Sequence, residues 1–399
     1  MHFRDLEIRI LNLFRISEFE LRISNGKLDH FVNFVVTKKT LSCVEGGLCR
    51  GYCGRIRCVM ERYSRQTLFR PIGSDGQRKL SQARALLVGC GALGSVVAEI
   101  LVRAGIGRLT IADRDYVDET NLQRQSLFTE ADSRDALPKA VAAVRHLREI
   151  NSSVELVERV ADVNAGSVES LVRDQHIILD GTDNFEARFL LNDASLQWNI
   201  PWIYGACVGS YGLCLAFVPG QTPCLRCVLE QLPPPGSSPT CDTAGVIGPI
   251  VHLVAGLQSA EALKILTGNL KQVNHKLVTF DVWENRIAAL DLARLERNGE
   301  CPACGQRNLE FLEGEREARA QSLCGRDAVQ IRRSTTQPVD FRAIAERLTS
   351  LGAVRYNEFL LRAQVGSFEI ALFRDGRGIV RGTHDLDEAQ RIYAKYIGN

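Results

Sequence analysis

The sequence predicts an α/β chain built on a doubly wound, mostly parallel sheet with an antiparallel extension, followed by a small α+β C-terminal domain. Three observations carry this. From Arg84 to Tyr204, apolar runs of strand length alternate with stretches of helical apolar spacing, the pattern of a sheet whose crossovers are helices. Two later runs, Tyr211 to Val218 and Lys276 to Asp291, read as strands with no helix between them and their neighbours, so part of the sheet is expected to be antiparallel. Two Cys-x-x-Cys pairs, Cys224-Leu-Arg-Cys227 and Cys301-Pro-Ala-Cys304, bracket a stretch that must fold back on itself.

Taken in order, residues 1–59 hold Cys43, Cys49, Cys53 and Cys58 among Gly and Arg, without sustained periodicity. We expect Met60 to be the native start; a Cys-rich metal-binding leader is the alternative. Arg84-Ala-Leu-Leu-Val-Gly89 is strand-like, Ala92 to Ala104 helical, and Arg108-Leu-Thr-Ile-Ala-Asp113 the next strand. Val154 to Glu158, Ile177 to Asp180 and Trp202 to Tyr204 continue the series. Residues 233–240, Pro-Pro-Pro-Gly-Ser-Ser-Pro-Thr, form an expected mobile loop. Gly245 to Thr267 is a long apolar helix, interrupted by Glu261 and Lys264, which favours burial over a membrane span. The main domain is placed at 60–309. A charged connector, Glu310 to Arg319, opens a second domain at 310–399. This domain reads as a strand at Ala328 to Ile331, a helix at Phe341 to Leu351, two or three strands between Val354 and Val380, and a helix at Leu386 to Tyr396. Asp375-Gly376 is a hairpin-turn signal.

Composition excludes several classes. The 399 residues are 45% hydrophobic and 24% charged, with a net charge of +2, so nothing global favours a nucleic acid or an anionic membrane. No apolar run is long enough to span a bilayer, and Met1-His2-Phe3-Arg4-Asp5-Leu6-Glu7 lacks the apolar core of a signal peptide. Thirteen cysteines, four of them in the two pairs, suggest metal binding in a reducing cytoplasm rather than a disulfide framework.

The chemistry begins with those four cysteines. Each pair offers two thiolates from one tight turn, and together Cys224, Cys227, Cys301 and Cys304 can supply a closed, tetrahedral Zn2+ site that staples the fold. Gly89-Cys-Gly91-Ala-Leu-Gly94 follows a predicted strand and opens a helix, the context a glycine-rich nucleotide loop requires in a Rossmann-like sheet. Asp113 ends the next strand, where a carboxylate can bind ribose hydroxyls. On its own this pattern favours a dinucleotide, which makes an NAD-dependent oxidoreductase the first rival. The residues after Asp113 suit a triphosphate better: Asp115, Asn121, Arg124 and Gln125, then Pro138-Lys139, with Arg as a planar fork for phosphate and Lys as a point charge. Leu179-Asp180-Gly181-Thr182-Asp183-Asn184 ends another strand, where a carboxylate can hold Mg2+ beside phosphates. Thr182 to Asn184 would equally cap a helix.

The ordered set Arg62-Tyr-Ser-Arg65-Gln66, Gly89 to Gly94, Asp113, Thr120 to Gln125, Lys139, Thr182 to Asn184, the two cysteine pairs and Thr240-Cys241 resembles the ubiquitin-activating-enzyme-like superfamily, in its bacterial ThiF/MoeB/HesA branch. The resemblance covers Glu61 to Gln306. It implies adenylation of the C-terminal Gly-Gly carboxylate of a ubiquitin-like sulfur-carrier protein, with ATP and Mg2+ consumed and pyrophosphate released. The pathway implied is thiamine or molybdopterin synthesis, with a lean towards thiamine from the C-terminal extension. It further implies a homodimer, and a cysteine desulfurase or another sulfur donor as a further partner. By motif position, Gly89, Gly91 and Gly94 would line the nucleotide and Asp113 would bind ribose. Asp115, Leu122, Gln123, Gln125 and Asn184 would border the nucleotide. Asn121, Arg124 and Lys139 would hold phosphates, Asp183 would hold Mg2+, and Arg65 would be donated across the dimer. Cys241 stands where relatives carry a cysteine that in some cases joins the carrier covalently. Cys90, Cys207 and Cys214 read as core. Cys324 lacks the surroundings of a rhodanese loop. A non-catalytic binder of a ubiquitin-fold protein is the remaining rival, and partner docking is the expected role of residues 310–399.

Overall fold

The computed structural model describes residues 62–233, 240–292, 299–314, 320–323, 327–332 and 339–398, and residues 56–399 belong to one compact unit. The expectations for residues 1–59, for Cys324, for most of the proline-rich loop and for residues 315–319 of the connector fall outside the described residues.

Two short helices, α1 (Ser64–Thr67) and α2 (Gly73–Leu80), precede the main sheet. Strands β1 (Arg84–Val88), β2 (Arg108–Asp113), β3 (Glu155–Val160), β4 (Ile177–Asp180) and β5 (Trp202–Val208) are parallel. β6 (Tyr211–Phe217), β7 (Lys276–Asp281) and β8 (Arg286–Asp291) extend the sheet antiparallel. The order β3-β2-β1-β4-β5-β6-β7-β8 reverses direction from β1, and doubly wound sheets bind ligands at the carboxyl ends of the strands beside such a switch. β1 and β4 are continuous apolar runs because both of their faces are covered. Helices α3 (Ala92–Ala104), α5 (Lys139–Ile150) and α10 (Gly248–Leu266) pack on one face, and α6 (Ala165–Val172) and α7 (Phe185–Trp198) on the other. Between them fall the short helices α4 (Glu130–Arg134), α8 (Leu225–Val228) and α9 (Cys241–Ala244).

The long apolar helix lies buried against β4, β5 and β6, as its polar interruptions suggested. Glu261 accepts from Lys264 at 2.6 Å and from the Asn274 amide at 2.9 Å. It begins at Gly248 rather than Gly245, because Gly245 takes a left-handed φ of 72° and Pro249 occupies the first turn. No helix among the described residues is long and apolar enough to cross a membrane.

The C-terminal domain is a six-stranded antiparallel sheet in the order β11-β12-β13-β14-β10-β9. It comprises β9 (Ala320–Leu323), β10 (Ala328–Ile331), β11 (Val354–Tyr356), β12 (Leu360–Val365), β13 (Phe368–Phe373) and β14 (Gly378–Arg381), with helices α11 (Phe341–Leu348) and α12 (Leu386–Tyr396). Four strands replace the two or three expected after Val354, since Gly366 and Gly376 each supply a left-handed turn. Alternation divides this sheet cleanly. Leu361, Ile370 and Leu372 face the two helices, whereas Leu360, Ala371, Phe373 and Ile379 enclose Tyr116 of the main domain. Main-domain packing also runs to Leu312: Phe311 joins the core beside Phe189, and Glu310 pairs with Arg226 at 3.7 Å.

Candidate nucleotide site and cysteine cluster

Strand β1 ends in a turn that only glycine can make. Gly89 has φ +84°, and a Cβ on Gly94 would sit 2.0 Å from the Gly89 carbonyl oxygen. A Cβ on Gly181, after β4, would meet the same oxygen at 2.2 Å. The β1 turn, the start of α3 and the β4 loop are therefore pressed together backbone to backbone. No side chain caps α3 at Gly91, so its first-turn N–H groups remain available to an anion, on the positive end of a helix dipole.

Asp113 closes the next side. Its carboxylate accepts from the Cys90 amide at 2.5 Å and the Asp115 amide at 2.7 Å, and burial pushes its pKa up despite nearby Lys139. Lys139 is buried and ion-paired to Asp115 at 3.1 Å. Arg114 donates to Asp162 at 3.4 Å and also lies in the fields of Asp183, Asp115 and Asp113. Asn121 acts locally as the last residue of a capping box: its side chain accepts from the Asp118 amide, and Asp118 caps the turn over Glu119–Asn121. Arg124 donates to the Thr120 carbonyl at 2.8 Å. The Gln125 amide nitrogen lies under Gly91, 3.7 Å from where a Cβ would be. Leu122 packs on the core, and Gln123 reaches the Val246 carbonyl at 3.5 Å.

On the β4 side, Asn184 caps α7 by accepting from the Ala187 amide at 2.8 Å, the capping role its sequence allowed, while Asp183 is exposed beside it. The residues that shape this loop have no motif of their own in the sequence. Asp180 is fully buried, accepts from the Thr182 amide and hydroxyl, and pairs with Arg188 at 3.3 Å. Burial raises its pKa, opposed by Arg188. Gln258 of α10 donates to the Asp180 carbonyl at 2.8 Å and to the Ile203 carbonyl at 3.2 Å. An arginine in the first turn of α7 was the available signal, since it can fold back over the helix start.

One expected site group, Arg65, lies elsewhere. Gln66, next to Arg65, donates to the Ala104 carbonyl at 2.9 Å, at the far end of α3 from the glycine turn. Thirteen residues of helix separate those ends by about 20 Å. Cys241 opens α9, half-buried, with its thiol donating to the Cys207 carbonyl at 3.1 Å. Cys90, Cys207 and Cys214 are buried, and burial drives each thiol pKa upward.

The four cysteines of the two pairs converge, with all sulfurs within 4.8 Å of one another. The sulfur–sulfur distances include 3.8 Å for Cys224–Cys227, 3.7 Å for Cys224–Cys301 and 3.4 Å for Cys227–Cys304. A tetrahedron of sulfurs about 2.3 Å from a central ion has edges of about 3.8 Å, so the donor set fits Zn2+. The cluster packs on Leu196 near the end of α7, about 18 Å along that helix from Asn184, where it can brace the fold and not touch a bound nucleotide.

A model of the ThiF family matches residues 63–303. The chain is 49% identical over 338 residues to a Bacillus subtilis (strain 168) protein named sulfur carrier protein ThiS adenylyltransferase, spanning 84% of this chain and 99% of that one. It is 35% identical to a Thermus thermophilus protein named sulfur carrier protein adenylyltransferase, over 62% of this chain and 91% of that one. Among solved structures, Escherichia coli MccB with MccA-N7isoASN superposes with a TM-score of 0.54 at 25% identity, covering 62% of this chain and 74% of that one.

Proposed function

This chain belongs to the ThiF family, and from that premise we propose that it adenylates the C-terminal Gly-Gly carboxylate of a ubiquitin-like sulfur carrier, of the ThiS kind, for thiamine synthesis. The observation that carries the choice of carrier is the length of the Bacillus subtilis alignment. Its 338 residues cannot fit within residues 1–309, so the similarity runs into the C-terminal domain as well as the nucleotide domain. A carrier of the molybdopterin pathway remains the comparison to test against.

In this reading the triphosphate lies on the uncapped start of α3 and the ribose on Asp113. Lys139, Arg124 and Asn121 hold phosphate oxygens, with Gly89, Gly91, Gly94, Leu122, Gln123 and Gln125 bordering the nucleotide. Asp183 and Asn184 close the β4 side, and Asp183 would hold Mg2+, which supplies charge neutralisation between the phosphates. A carrier carboxylate oxygen attacks the α-phosphorus, the bond to the bridging oxygen breaks, and pyrophosphate departs. The carboxylate is already ionised at neutral pH, so the residues act by positioning and charge rather than by moving protons. Zn2+ on Cys224, Cys227, Cys301 and Cys304 would supply folding energy. Cys241 is assigned as the thiol that meets the activated carrier.

Two exposed apolar patches support the partner assignments. β8 is the last strand of the main sheet and is exposed throughout, with Ile287, Leu290 and the turn residue Trp283 all solvent-facing; an open apolar edge suits a ubiquitin-fold partner. Five strand spacings separate it from β1, about 24 Å, a span that about seven extended tail residues can cross. Leu68 and Phe69 are exposed beside Arg65, which suits burial against a second copy.

The test is ATP–pyrophosphate exchange with Gly-Gly-tailed thiamine and molybdopterin carriers assayed separately. Exchange with the ThiS-like carrier alone is the expected result. Exchange only with the other carrier would overturn the pathway, and NAD binding without ATP-dependent activity would overturn the chemistry.

A further inference from the structure

The C-terminal domain seats its helix-free face on the loop that carries the ribose and phosphate residues. Tyr116 is almost fully buried within the apolar face made by Leu360, Ala371, Phe373 and Ile379. Arg362 and Arg381 lie over its ring at 5.4 Å and 5.3 Å. Arg381 also donates from both terminal nitrogens to one oxygen of Asp118, at 3.2 Å each. Asp118 is the residue that caps the Glu119–Asn121 turn, and Tyr116 bridges in antiparallel fashion to Pro138, directly before Lys139. A second anchor lies one strand over, where Asp162 accepts from Gln330 at 2.8 Å and from Arg332 at 2.6 Å while also holding Arg114. Burial opposes ionisation of Asp162, yet Arg114 and Arg332 hold its pKa below the usual carboxylate range.

Each of these contacts touches a neighbour of a nucleotide residue rather than the residue itself. Tyr116 follows Asp115, Asp118 orients Asn121, and Pro138 precedes Lys139. A loop of this length held only at its ends would lose much of its order without a partner. We propose that the C-terminal domain is a clamp that holds residues 114–121 and 138–139 in the ATP-binding geometry, with Arg381 and Tyr116 as positioning residues. The proposal rests on the adenylation reading above. It gives the domain a task at the nucleotide rather than at the carrier.

The experiment compares the full-length chain with Arg381→Met, Arg381→Lys and, as a control, Leu348→Ala. Leu348 ends α11 and is buried on the opposite face of the C-terminal sheet. Exchange assays yield KM for ATP, KM for the carrier and kcat, and direct ATP titration without carrier yields the affinity itself. A charge-assisted pair of this kind is worth about ten- to a hundredfold. The pair is partly exposed, which places the expected effect near the lower bound. Arg381→Met should raise KM and Kd for ATP about tenfold, leave KM for the carrier within about twofold, and be partly rescued by Arg381→Lys. Leu348→Ala should lower the melting temperature without moving KM for ATP. Asp118→Asn combined with Arg381→Met should cost no more than either alone. Unchanged ATP parameters in Arg381→Met would overturn the clamp. A rise in carrier KM alone would overturn it in favour of carrier docking. Wild-type protein that binds ATP but exchanges with no carrier would remove the adenylation reading, and the titration arm would still decide the clamp.

Discussion

Replacing Gly94 with Ala perturbs the nucleotide turn at its tightest point. The new Cβ would stand 2.0 Å from the Gly89 carbonyl oxygen, against 3.4 Å for the start of ordinary contact, so backbone must move by about 1.4 Å. Neither side can yield easily: Gly89 is fixed by its left-handed φ, and the same oxygen already lies against Gly181. Overpacking of this kind costs about 1–3 kcal/mol of stability, and a displacement of about 1 Å at a reacting centre costs about a hundredfold in rate. Gly91→Ala is the contrasting variant. Its Cβ would meet only Gln125 at 3.7 Å, but its φ of −82° with ψ of −140° lies outside the helical and extended regions, so the free protein should lose some melting temperature to backbone strain and none to a clash. In the proposed binding mode a methyl group there would also face the triphosphate and should weaken ATP binding. The assay is ATP–pyrophosphate exchange beside thermal melting of the free enzyme. Gly94→Ala should lose stability and about a hundredfold in kcat/KM for ATP, and Gly91→Ala should lose ATP affinity with the smaller fall in melting temperature. Gly94→Ala with normal melting and normal KM for ATP would refute the packing argument.

Cys301→Ser should lower bound zinc, measured by elemental analysis, from about one ion per chain to a small fraction and lower the melting temperature, while Cys241→Ser should change neither. Arg188→Met leaves the buried Asp180 carboxylate without its counter-ion, and urea denaturation should show a loss of about 3–5 kcal/mol. Asp193 is fully buried in α7, and burial pushes its pKa from 3.8 to about 6. The folded chain therefore binds the extra proton more tightly than the unfolded one. The stability this contributes is complete below pH 3.8, falls as pH rises through about 6, and is absent above. Asp193→Asn should consequently stabilise the protein by up to about 3 kcal/mol at pH 7.5, a gain that shrinks towards nothing near pH 4. A difference between variant and wild type that is independent of pH would contradict the assignment.

The fold was legible where one physical signal dominated. The strands β1 and β4 are buried on both faces and read as unbroken apolar runs. Helix α12 begins and ends at Leu386 and Tyr396 as expected, because Asp385 caps it by accepting from the Asp387 and Glu388 amides. The cysteine pairs named their own contact across residues far apart in sequence. Boundaries drifted where tertiary packing decided: β5 runs on to Val208 only because β6 pairs along its whole length. At the candidate site, the glycines and Asp113 were readable because backbone geometry fixes their type. The Asp180–Arg188–Gln258 network was not, since Gln258 approaches from a helix remote in sequence and its acceptors are main-chain carbonyls, which leave no trace in residue identity. The seat of the C-terminal domain was hidden for a similar reason. Tyr116 looks like an ordinary half-buried aromatic until an apolar face from residues 328–379 closes over it.

Arg65 poses the sharpest geometric question. It stands about 20 Å along α3 from the glycine turn, beyond the reach of one side chain, yet it lies beside exposed Leu68 and Phe69. If a second copy covers that patch with two-fold symmetry, each Arg65 can serve the site of its neighbour. Arg65→Ala and Lys139→Ala should then each inactivate the homodimer by different routes, one in trans and one in cis. Mixing the two variants in equal amounts and allowing subunits to exchange places half the chains' pairings in heterodimers. Within each heterodimer one site carries both defects and the other carries none. Exchange activity should return to about one quarter of the wild-type level. No recovery after verified subunit exchange would show that Arg65 acts within its own chain or that its loss damages the fold of that chain. Recovery well above one quarter would mean that one of the two variants was never fully inactive.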